Sequence, residues 1–507
     1  MKKLLPLLLL CCAPAQAKTV AVYHTSDVHG WYSARPAQWD RVHPDRLIGG
    51  FPALAALLAK EKGPWLLLDS GDMFQGTPEG ILTKGGASAD LMNLAGYAAA
   101  VPGNHDYDYG EPNLRKFAAQ AKFPLLAGNV YERQGGSRPG YLKPYAFFER
   151  GGERIAVIGL AGKHTETSTL PDHVKRLEFR DEAAEAARLL PEVRASSPDA
   201  VILLAHLGLS EDLSVKRLDV STWAFSPEEG VLRAARAAGG IDLVLGGHDH
   251  TGLLKGWRDP VTGTWFGESG YGLSYVTRAE LDFDDATGKL RDVKVELVPL
   301  WADETGEAPE FKKLLAALAA RVEKEMGRAV GRTLGDLSFS PEGLDSPIGD
   351  WLCDLTRKEA GTDLAFQNTA ALRAEIKKGP VRVRDLYQAM PFDNTIVTMR
   401  LTGAQVKKML EQNIRGGRTA MQVSGLEMEI AAGGGARLFR GGKEISPAEE
   451  FTVATNNYLA GGGTGGEVFS AGLDVKDTLI PVRDAMERSF AAGPLPAQKT
   501  GRIRRAR

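Results

Sequence analysis

Between Thr19 and about Pro299, short apolar runs alternate with helix-like segments, and this alternation limits the folds that the chain can adopt. Short apolar runs bounded by polar turns are typical of buried strands, whereas longer segments with apolar residues at helical spacing indicate amphipathic helices. The runs predict strands at Thr19 to His24, Trp65 to Leu68, Ala98 to Val101, Arg154 to Leu160, Ala200 to Ala205 and Asp242 to Leu245. The segments between them predict helices at Phe51 to Lys62, Glu182 to Arg194 and Glu228 to Ala238. This alternation predicts an α/β fold built in layers.

The second half of the chain has a different texture. Pro309 to Met326 is rich in Ala, Leu, Lys and Glu and predicts one helix that joins two domains. Two domains are expected of 507 residues, because a single core rarely grows beyond about 250–300 residues. Strand-like stretches occur at Val381 to Val383, Thr395 to Leu401, Leu426 to Ile430 and Phe451 to Thr455, with a helix at Ala404 to Ile414. We predict an α/β domain at 18–305, a linker helix at 306–328 and a C-terminal α+β domain at 329–507, whose Arg-rich end is frayed.

Residues 1–17 have the layout of a secretory signal peptide: Lys2 and Lys3, then apolar residues from Leu4 to Leu10, then Ala15-Gln16-Ala17. We therefore expect an exported protein, periplasmic or extracellular, with no transmembrane segment. A lipid anchor at Cys11 or Cys12 is the alternative, which the bulky Leu10 before Cys11 disfavours. Cleavage would leave Cys353 as the only cysteine of the mature chain. It lies in an apolar run, where we expect a buried packing residue.

The charge balance excludes one class of partner. The chain has 62 basic and 64 acidic residues, so it has no broad positive field and no groove for a nucleic acid duplex is expected. A small-molecule ligand is the remaining expectation, and the oligomeric state is left open.

Polar residues that can bind metals follow nearly every predicted strand of the first half. They are Asp27, His29, Asp72, Asn104, His206, His248 and His250. A lone histidine in such a position is more often structural than a ligand, but this many together at strand ends, where α/β sheets build their sites, predict a metal centre. Mixed imidazole, carboxylate and amide ligation suits Zn²⁺, Mn²⁺ or Fe²⁺ better than Mg²⁺ or Ca²⁺. We assign no role to His43, His164 or His173, and a packing role to His24.

The order and identity of these motifs resemble the calcineurin-like metallophosphoesterases and, among them, the 5′-nucleotidase family. The resemblance implies two metal ions: one bound by Asp27, His29 and His250, the other by Asn104, His206 and His248, with Asp72 bridging both. Such a pair clamps a phosphoryl group during in-line displacement. In Gly103-Asn104-His105-Asp106-Tyr107-Asp108, the resemblance implies that His105 stabilises the phosphoryl group or leaving oxygen and that Asp108 orients its ring.

In that family the C-terminal domain carries the substrate pocket. Here Asn368 and Arg373 resemble a phosphate-contacting stretch, Phe392 and Asn394 resemble residues that stack on a base and bond its edge, and Tyr458 resembles the aromatic on its other face. In the phosphate-contacting stretch, Ala370 and Ala371 stand where the family usually has two glycines. Three more positions depart from the pattern. Thr464 stands where the family has an Asp that binds ribose, Leu344 lies near an expected Arg, and Asp393 replaces a Gly.

The resemblance implies hydrolysis of a nucleotide to nucleoside and phosphate. Two alternatives stay open. One is hydrolysis of another phosphoester or of a sulfur-linked conjugate, as in the thiosulfohydrolases that resemble this family, which the Phe392 and Asn394 motif disfavours. The other is a non-catalytic nucleotide-binding protein, which would be expected to have lost ligands that this sequence retains.

Overall fold

A computed structural model describes residues 18–506, apart from Gln38, Arg41, residues 210–224 and Pro227. The predicted signal peptide lies outside the described residues. The first half of the chain forms two sheets that stack face to face. The first has the order Leu290–Pro299, Tyr275–Phe283, Lys18–Thr25, Trp65–Asp69, Ala99–Ala100, Leu125–Leu126, Leu142–Lys143. The second has the order Trp257–Arg258, Trp265–Glu268, Leu243–Gly246, Ala200–Ala205, Glu153–Leu160, Tyr145–Arg150.

Alternation along the buried strands builds the layers, because successive side chains of a strand point to opposite faces. Ile155 and Val157 pack between the two sheets, whereas Ala156 and Ile158 pack against the outer helices Glu182–Arg194 and Gly230–Ala238. The other helices of this half are Phe51–Leu58, Pro78–Thr83, Gly86–Ala95, Glu111–Gln120, Thr165–Ser168, Pro171–Val174 and Ala302–Thr305, with a 3-10 turn at Asn104–Tyr107. Short strand pairs join Arg35–Pro36 to Leu47–Ile48 and Val130–Glu132 to Leu177–Phe179. The predicted layered α/β fold is confirmed.

The helix Pro309–Met326 follows the last strand of the first sheet, as predicted. The C-terminal half is built around a five-stranded sheet of order Met421–Ser424, Leu364–Asn368, Glu450–Asn456, Thr395–Thr402, Leu473–Pro481. A four-stranded sheet has the order Lys443–Glu444, Ala436–Arg440, Glu427–Ile430, Ile503–Arg505, and two strand pairs join Ala329–Thr333 to Gly379–Arg382 and Ile414–Arg415 to Arg418–Thr419. The helices are Pro347–Ala360, Val383–Ala389, Gly403–Gln412, Asn457–Ala460 and Val482–Arg488, with 3-10 turns at Thr369–Ala371 and Glu467–Ala471. This is the predicted α+β architecture.

Local signals set the helix ends. Ser346 caps Pro347–Ala360 by accepting a hydrogen bond from the Gly349 N–H, and a left-handed Gly361 ends that helix. The first helix ends at Leu58, four residues before the predicted Lys62. The reason is local: the Glu61 carboxylate accepts the N–H groups of Lys62 and Gly63, which a continuing helix would have paired with carbonyls.

The Arg-rich C-terminus is ordered through Ala506, so its prediction as a frayed end is wrong. Ile503–Arg505 pairs in parallel with Glu427–Ile430, and Arg502 forms an ion pair with Asp354. Cys353 is buried, as predicted. Within the described ranges, no helix combines the length and apolar character needed to cross a bilayer.

Candidate metal centre and active site

Five strand ends meet at one edge of the stacked sheets. Lys18–Thr25, Trp65–Asp69 and Ala99–Ala100 run parallel in the first sheet, so their carboxyl ends lie side by side. Ala200–Ala205 and Leu243–Gly246 do the same in the second sheet. All seven predicted metal ligands follow these five strands, and six of them fall into groups whose ligand atoms approach within 4.8 Å.

The turns that carry these residues have unusual backbone conformations. Ten described residues other than glycine have a positive φ, and five of them are predicted ligands: Asp27 (51°), His29 (50°), Asp72 (57°), His248 (79°) and His250 (61°). Left-handed conformations cost energy for residues with a Cβ and cluster at functional sites. The concentration of strain at these positions indicates that the fold holds these side chains in place for a purpose other than packing.

The first ligand group contains Asp27, His29 and His250. His29 Nε2 lies 3.1 Å from His250 Nε2 and 3.9 Å from Asp27 Oδ1, and His250 Nε2 lies 3.6 Å from that same oxygen. His29 Nδ1–H donates to the Gln75 carbonyl at 2.7 Å. That hydrogen bond fixes the ring tautomer, so the Nε2 lone pair points into the group.

The second group contains Asn104, His206 and His248. His206 Nδ1–H donates to the Ser70 carbonyl at 2.6 Å, which leaves Nε2 facing Asn104 Oδ1 at 3.2 Å. The Asn104 amide nitrogen donates to the Ser168 carbonyl at 3.1 Å, so its oxygen faces the group. Here too, second-layer hydrogen bonds aim the ligand atoms inward.

Asp72 lies between the two groups. Its Oδ2 is 3.6 Å from His29 Nε2 and 3.4 Å from His206 Nε2, and the carboxylate is buried. This placement is the one expected of a bridging ligand.

The donor chemistry of the cluster fits divalent cations. Burial raises the pKa of Asp27 to about 7. Burial also opposes ionisation of Asp72, but His206 and His105 outweigh it and hold the Asp72 pKa well below its usual value. Buried carboxylates and imidazole lone pairs that face one another repel unless a proton or a cation lies between them. Oxygen and imidazole donors together suit divalent transition metal ions.

The predicted catalytic pair lies beside Asp72. His105 Nδ1 is 2.8 Å from Asp108 Oδ2, and the Thr169 hydroxyl donates to Asp108 Oδ1 at 2.9 Å. The His105 backbone N–H donates to Asp72 Oδ1 at 2.8 Å. Burial disfavours the charged ring, but Asp108 and Asp72 outweigh it and raise the pKa of His105 above its ordinary value. With Nδ1 engaged by Asp108, the Nε2 edge is left to act on a substrate.

Asp106 is a positioning residue that sequence reasoning missed. Its buried carboxylate accepts the backbone N–H groups of Asp72, Met73 and Gly103 at 2.8–2.9 Å. These bonds tie the turn that carries Asp72 to the turn that carries Asn104. Gly103 must be glycine here, because a Cβ would lie 2.2 Å from Asp72 Oδ1. The only sequence signal for Asp106 was its place in the same motif as Asn104.

His164, for which the sequence predicts no role, lies against the second ligand group. Its ring stacks on His248 with centroids 3.7 Å apart, and burial lowers the pKa of His164 to about 3. The available signal was its position four residues after the strand Glu153–Leu160. His24 is buried against Ser70, in line with a packing role.

The C-terminal half brings two of its predicted substrate residues directly to the cluster. Arg373 Nη2 lies 3.3 Å from His29 Nε2, and the Phe392 ring stacks on His105 with centroids 5.4 Å apart. Tyr458 instead donates its hydroxyl to the Thr167 carbonyl at 2.8 Å. Thus Tyr458 contacts the short helix Thr165–Ser168, which directly follows His164.

The other two predicted substrate residues contact other residues of the C-terminal half. Asn368 accepts a hydrogen bond from the Asn456 amide at 3.1 Å, and Asn394 is buried with its carbonyl bonded to the Val482 N–H. Arg483 donates to the Met390 carbonyl at 3.0 Å and to the Phe392 carbonyl, and it forms an ion pair with Asp393. Asp393, which departs from the family pattern, thus helps to anchor the loop that carries Phe392.

Comparisons with known proteins find similarity in both halves of the chain. Residues 20–252 match the model of the calcineurin-like phosphoesterases, and residues 329–471 match the C-terminal domain of 5′-nucleotidases. The chain is 27% identical to Protein UshA of Yersinia enterocolitica, over 88% of this chain and 86% of that one. It is 26% identical to the 5′-nucleotidase of Vibrio vulnificus, over 88% and 85%. The crystal structure of a 5′-nucleotidase precursor from Thermus thermophilus superposes with a TM-score of 0.82 at 26% identity, covering 96% of this chain and 99% of that one.

Proposed function

The chain belongs to the 5′-nucleotidase family of calcineurin-like metallophosphoesterases, so it is a metal-dependent phosphoester hydrolase, and we propose that it releases phosphate from nucleotides at the buried Asp/His cluster. The observation that carries this proposal is the convergence of two ligand groups on Asp72, with His105 beside them.

The cluster has enough ligand side chains to bind two divalent ions. Asp27, His29 and His250 would hold one, Asn104, His206 and His248 the other, and Asp72 both. We propose Zn²⁺, Mn²⁺ or Fe²⁺, because imidazoles outnumber carboxylates among these donors. When bound, the ions supply Lewis-acid polarisation of a phosphoryl group and neutralise the charge that develops on it.

The chain's own residues orient the ester and manage its charge. His105, held by Asp108 and Thr169, presents Nε2–H to the phosphoryl or leaving oxygen, where a cationic ring stabilises developing negative charge. The Arg373 guanidinium reaches the cluster from the C-terminal half and carries the planar donor fork that suits phosphate oxygens.

The nucleoside would bind where the two halves meet. Phe392 contacts His105 of the first half, and Tyr458 contacts Thr167. A base bound between these two rings would therefore lie beside the phosphate site. Asn368 and Asn394 belong to the C-terminal half and would bond the nucleotide from that side. Thr464 bonds the Thr167 carbonyl through its N–H at 3.1 Å, and it has no carboxylate to hold ribose hydroxyls. We therefore propose a pocket that recognises base and phosphate more than sugar.

We also propose that the chain acts outside the cytoplasm. The support is the signal-like layout of residues 1–17. Fractionation of expressing cells, with N-terminal sequencing of the mature chain, tests this. A mature chain that begins near Lys18 supports it, and a cytoplasmic chain that keeps its first residues contradicts it.

A substrate panel tests the activity itself. Phosphate release should be measured from nucleoside monophosphates, a sugar phosphate, a cyclic nucleotide and a small aryl phosphate, before and after chelation and Mn²⁺ or Zn²⁺ readdition. We expect metal-dependent release, fastest from a nucleotide. Release from the aryl phosphate alone would favour another ester, activity on a sulfur-linked conjugate would favour the thiosulfohydrolase alternative, and binding without turnover would favour a binding protein.

A further inference from the structure

His164 stands on the loop that follows the strand Glu153–Leu160, just before the short helix Thr165–Ser168. Its ring lies nearly parallel to that of His248, at an interplanar angle of 22° and a centroid distance of 3.7 Å. The His206 ring is 6.0 Å away. One nitrogen from each of the three rings lies within 4.8 Å of one nitrogen from each of the other two. Three imidazoles therefore converge on the second ligand group.

The local backbone is shaped to admit this ring. A Cβ on Gly162 would lie 2.0 Å from Cε1 and 2.4 Å from Nδ1 of His164, closer than any side chain could tolerate. Only glycine at position 162 leaves the ring in this place.

Packing alone does not account for the His164 ring. Its Nε2 is buried and has no hydrogen-bond partner among the described residues. A buried polar atom left unpaired destabilises the folded chain, and an apolar side chain of similar shape would avoid this cost. Coordination of a cation would use the ring's lone pair and remove this cost.

We infer that His164 is a third imidazole ligand of the ion held by Asn104, His206 and His248, an inference that rests on the proposed two-ion centre. This ion then has three nitrogen donors, whereas the ion at Asp27, His29 and His250 has two. Imidazole donors favour zinc, copper, nickel and iron over magnesium. The two positions should therefore differ in metal preference, the His164 position being the more selective for transition metals.

Histidine ring ¹⁵N NMR of the whole mature chain, titrated with Zn²⁺, tests the inference without reference to activity. A ring nitrogen that binds zinc moves to a chemical-shift range distinct from that of a protonated or free nitrogen. We expect five rings to make this change, those of His29, His164, His206, His248 and His250. The His164 signal is identified by its loss in His164→Gln, and His173→Gln, on the neighbouring helix Pro171–Val174, is the matched control.

Zinc stoichiometry separates the possible failures. Two zinc ions per chain with five shifted rings support the inference. So does a His164→Gln variant that binds its second zinc ion with roughly ten- to hundredfold lower affinity. Two zinc ions with four shifted rings, His164 unchanged, overturn it and leave the proposed function standing. Zinc that shifts none of these rings overturns both. The wild-type spectrum alone gives the ring count, so the test holds even if His164→Gln fails to fold.

Discussion

The hydrogen bonds that connect Thr169 to Asp108 and Asp108 to His105 predict a graded loss of turnover when these residues are replaced. The Thr169 hydroxyl fixes one oxygen of Asp108 at 2.9 Å, and the other oxygen holds His105 Nδ1 at 2.8 Å. Removing His105 by His105→Ala deletes the group that acts on the substrate, which costs roughly 10²–10⁴-fold in kcat. Asp108→Asn removes a charged hydrogen bond worth about 1.5–3 kcal/mol, or roughly ten- to a hundredfold. Thr169→Val removes a bond worth about 0.5–1.5 kcal/mol one step further away, or roughly two- to tenfold.

Phosphate release at saturating nucleotide, divided by metal content from elemental analysis, is the assay. All three variants should keep the metal content of the wild type, because none of these residues is among the proposed ligands. The order of the losses tests the reasoning. If His105→Ala loses metal and keeps its rate per bound ion, His105 is a ligand or a structural residue. If Thr169→Val costs as much as Asp108→Asn, the hydroxyl does more than orient the carboxylate.

Three further predictions concern substrate choice and stability. Phe392→Ala or Tyr458→Ala should raise KM for a nucleotide roughly tenfold or more while barely changing an aryl phosphate, because a stacked base is worth about 1–3 kcal/mol; equal losses in folded variants would show that the rings do not read a base. With Thr464 in place of a ribose-binding carboxylate, kcat/KM for ribo- and deoxyribonucleotides should agree to within about tenfold, and a much larger preference would reveal another ribose contact. Burial raises the pKa of Asp350 from 3.8 to about 8 despite Arg502 at 3.7 Å. Folding thus favours the protonated carboxyl, and the stability that this form gives the folded chain is lost as pH rises from about 4 to about 8. Asp350→Asn should therefore raise Tm more at about pH 8 than at about pH 5, and a Tm difference independent of pH would contradict this.

The strand-helix alternation was enough to predict the layered fold and the edge where the site forms. Glu182–Arg194 and Ala200–Ala205 have the predicted bounds, because apolar periodicity and an Asp181 cap act locally. The end of the first helix was missed, because the Glu61 side chain competes with the helix for N–H groups. The pairing of Ile503–Arg505 was missed as well, since its partner strand lies more than 70 residues away in sequence.

The site was predicted where strand ends present recognisable donors and missed where a role depends on three-dimensional contact. Asp106 acts through backbone N–H groups of another turn, and the sequence does not show which turns will adjoin. His164 comes from a loop whose path depends on Gly162. That the Phe392 ring meets His105 depends in turn on how the two halves pack.

The proposed centre holds two ions that share Asp72 where the strand ends meet. An anomalous-scattering map from a crystal of the mature chain grown with Mn²⁺ or Zn²⁺ would show whether they do. We predict two peaks about 3.5–4 Å apart, one bordered by His29 and His250, the other by His206 and His248, with the Asp72 carboxylate between them. A single peak, or peaks that do not touch Asp72, would contradict the account.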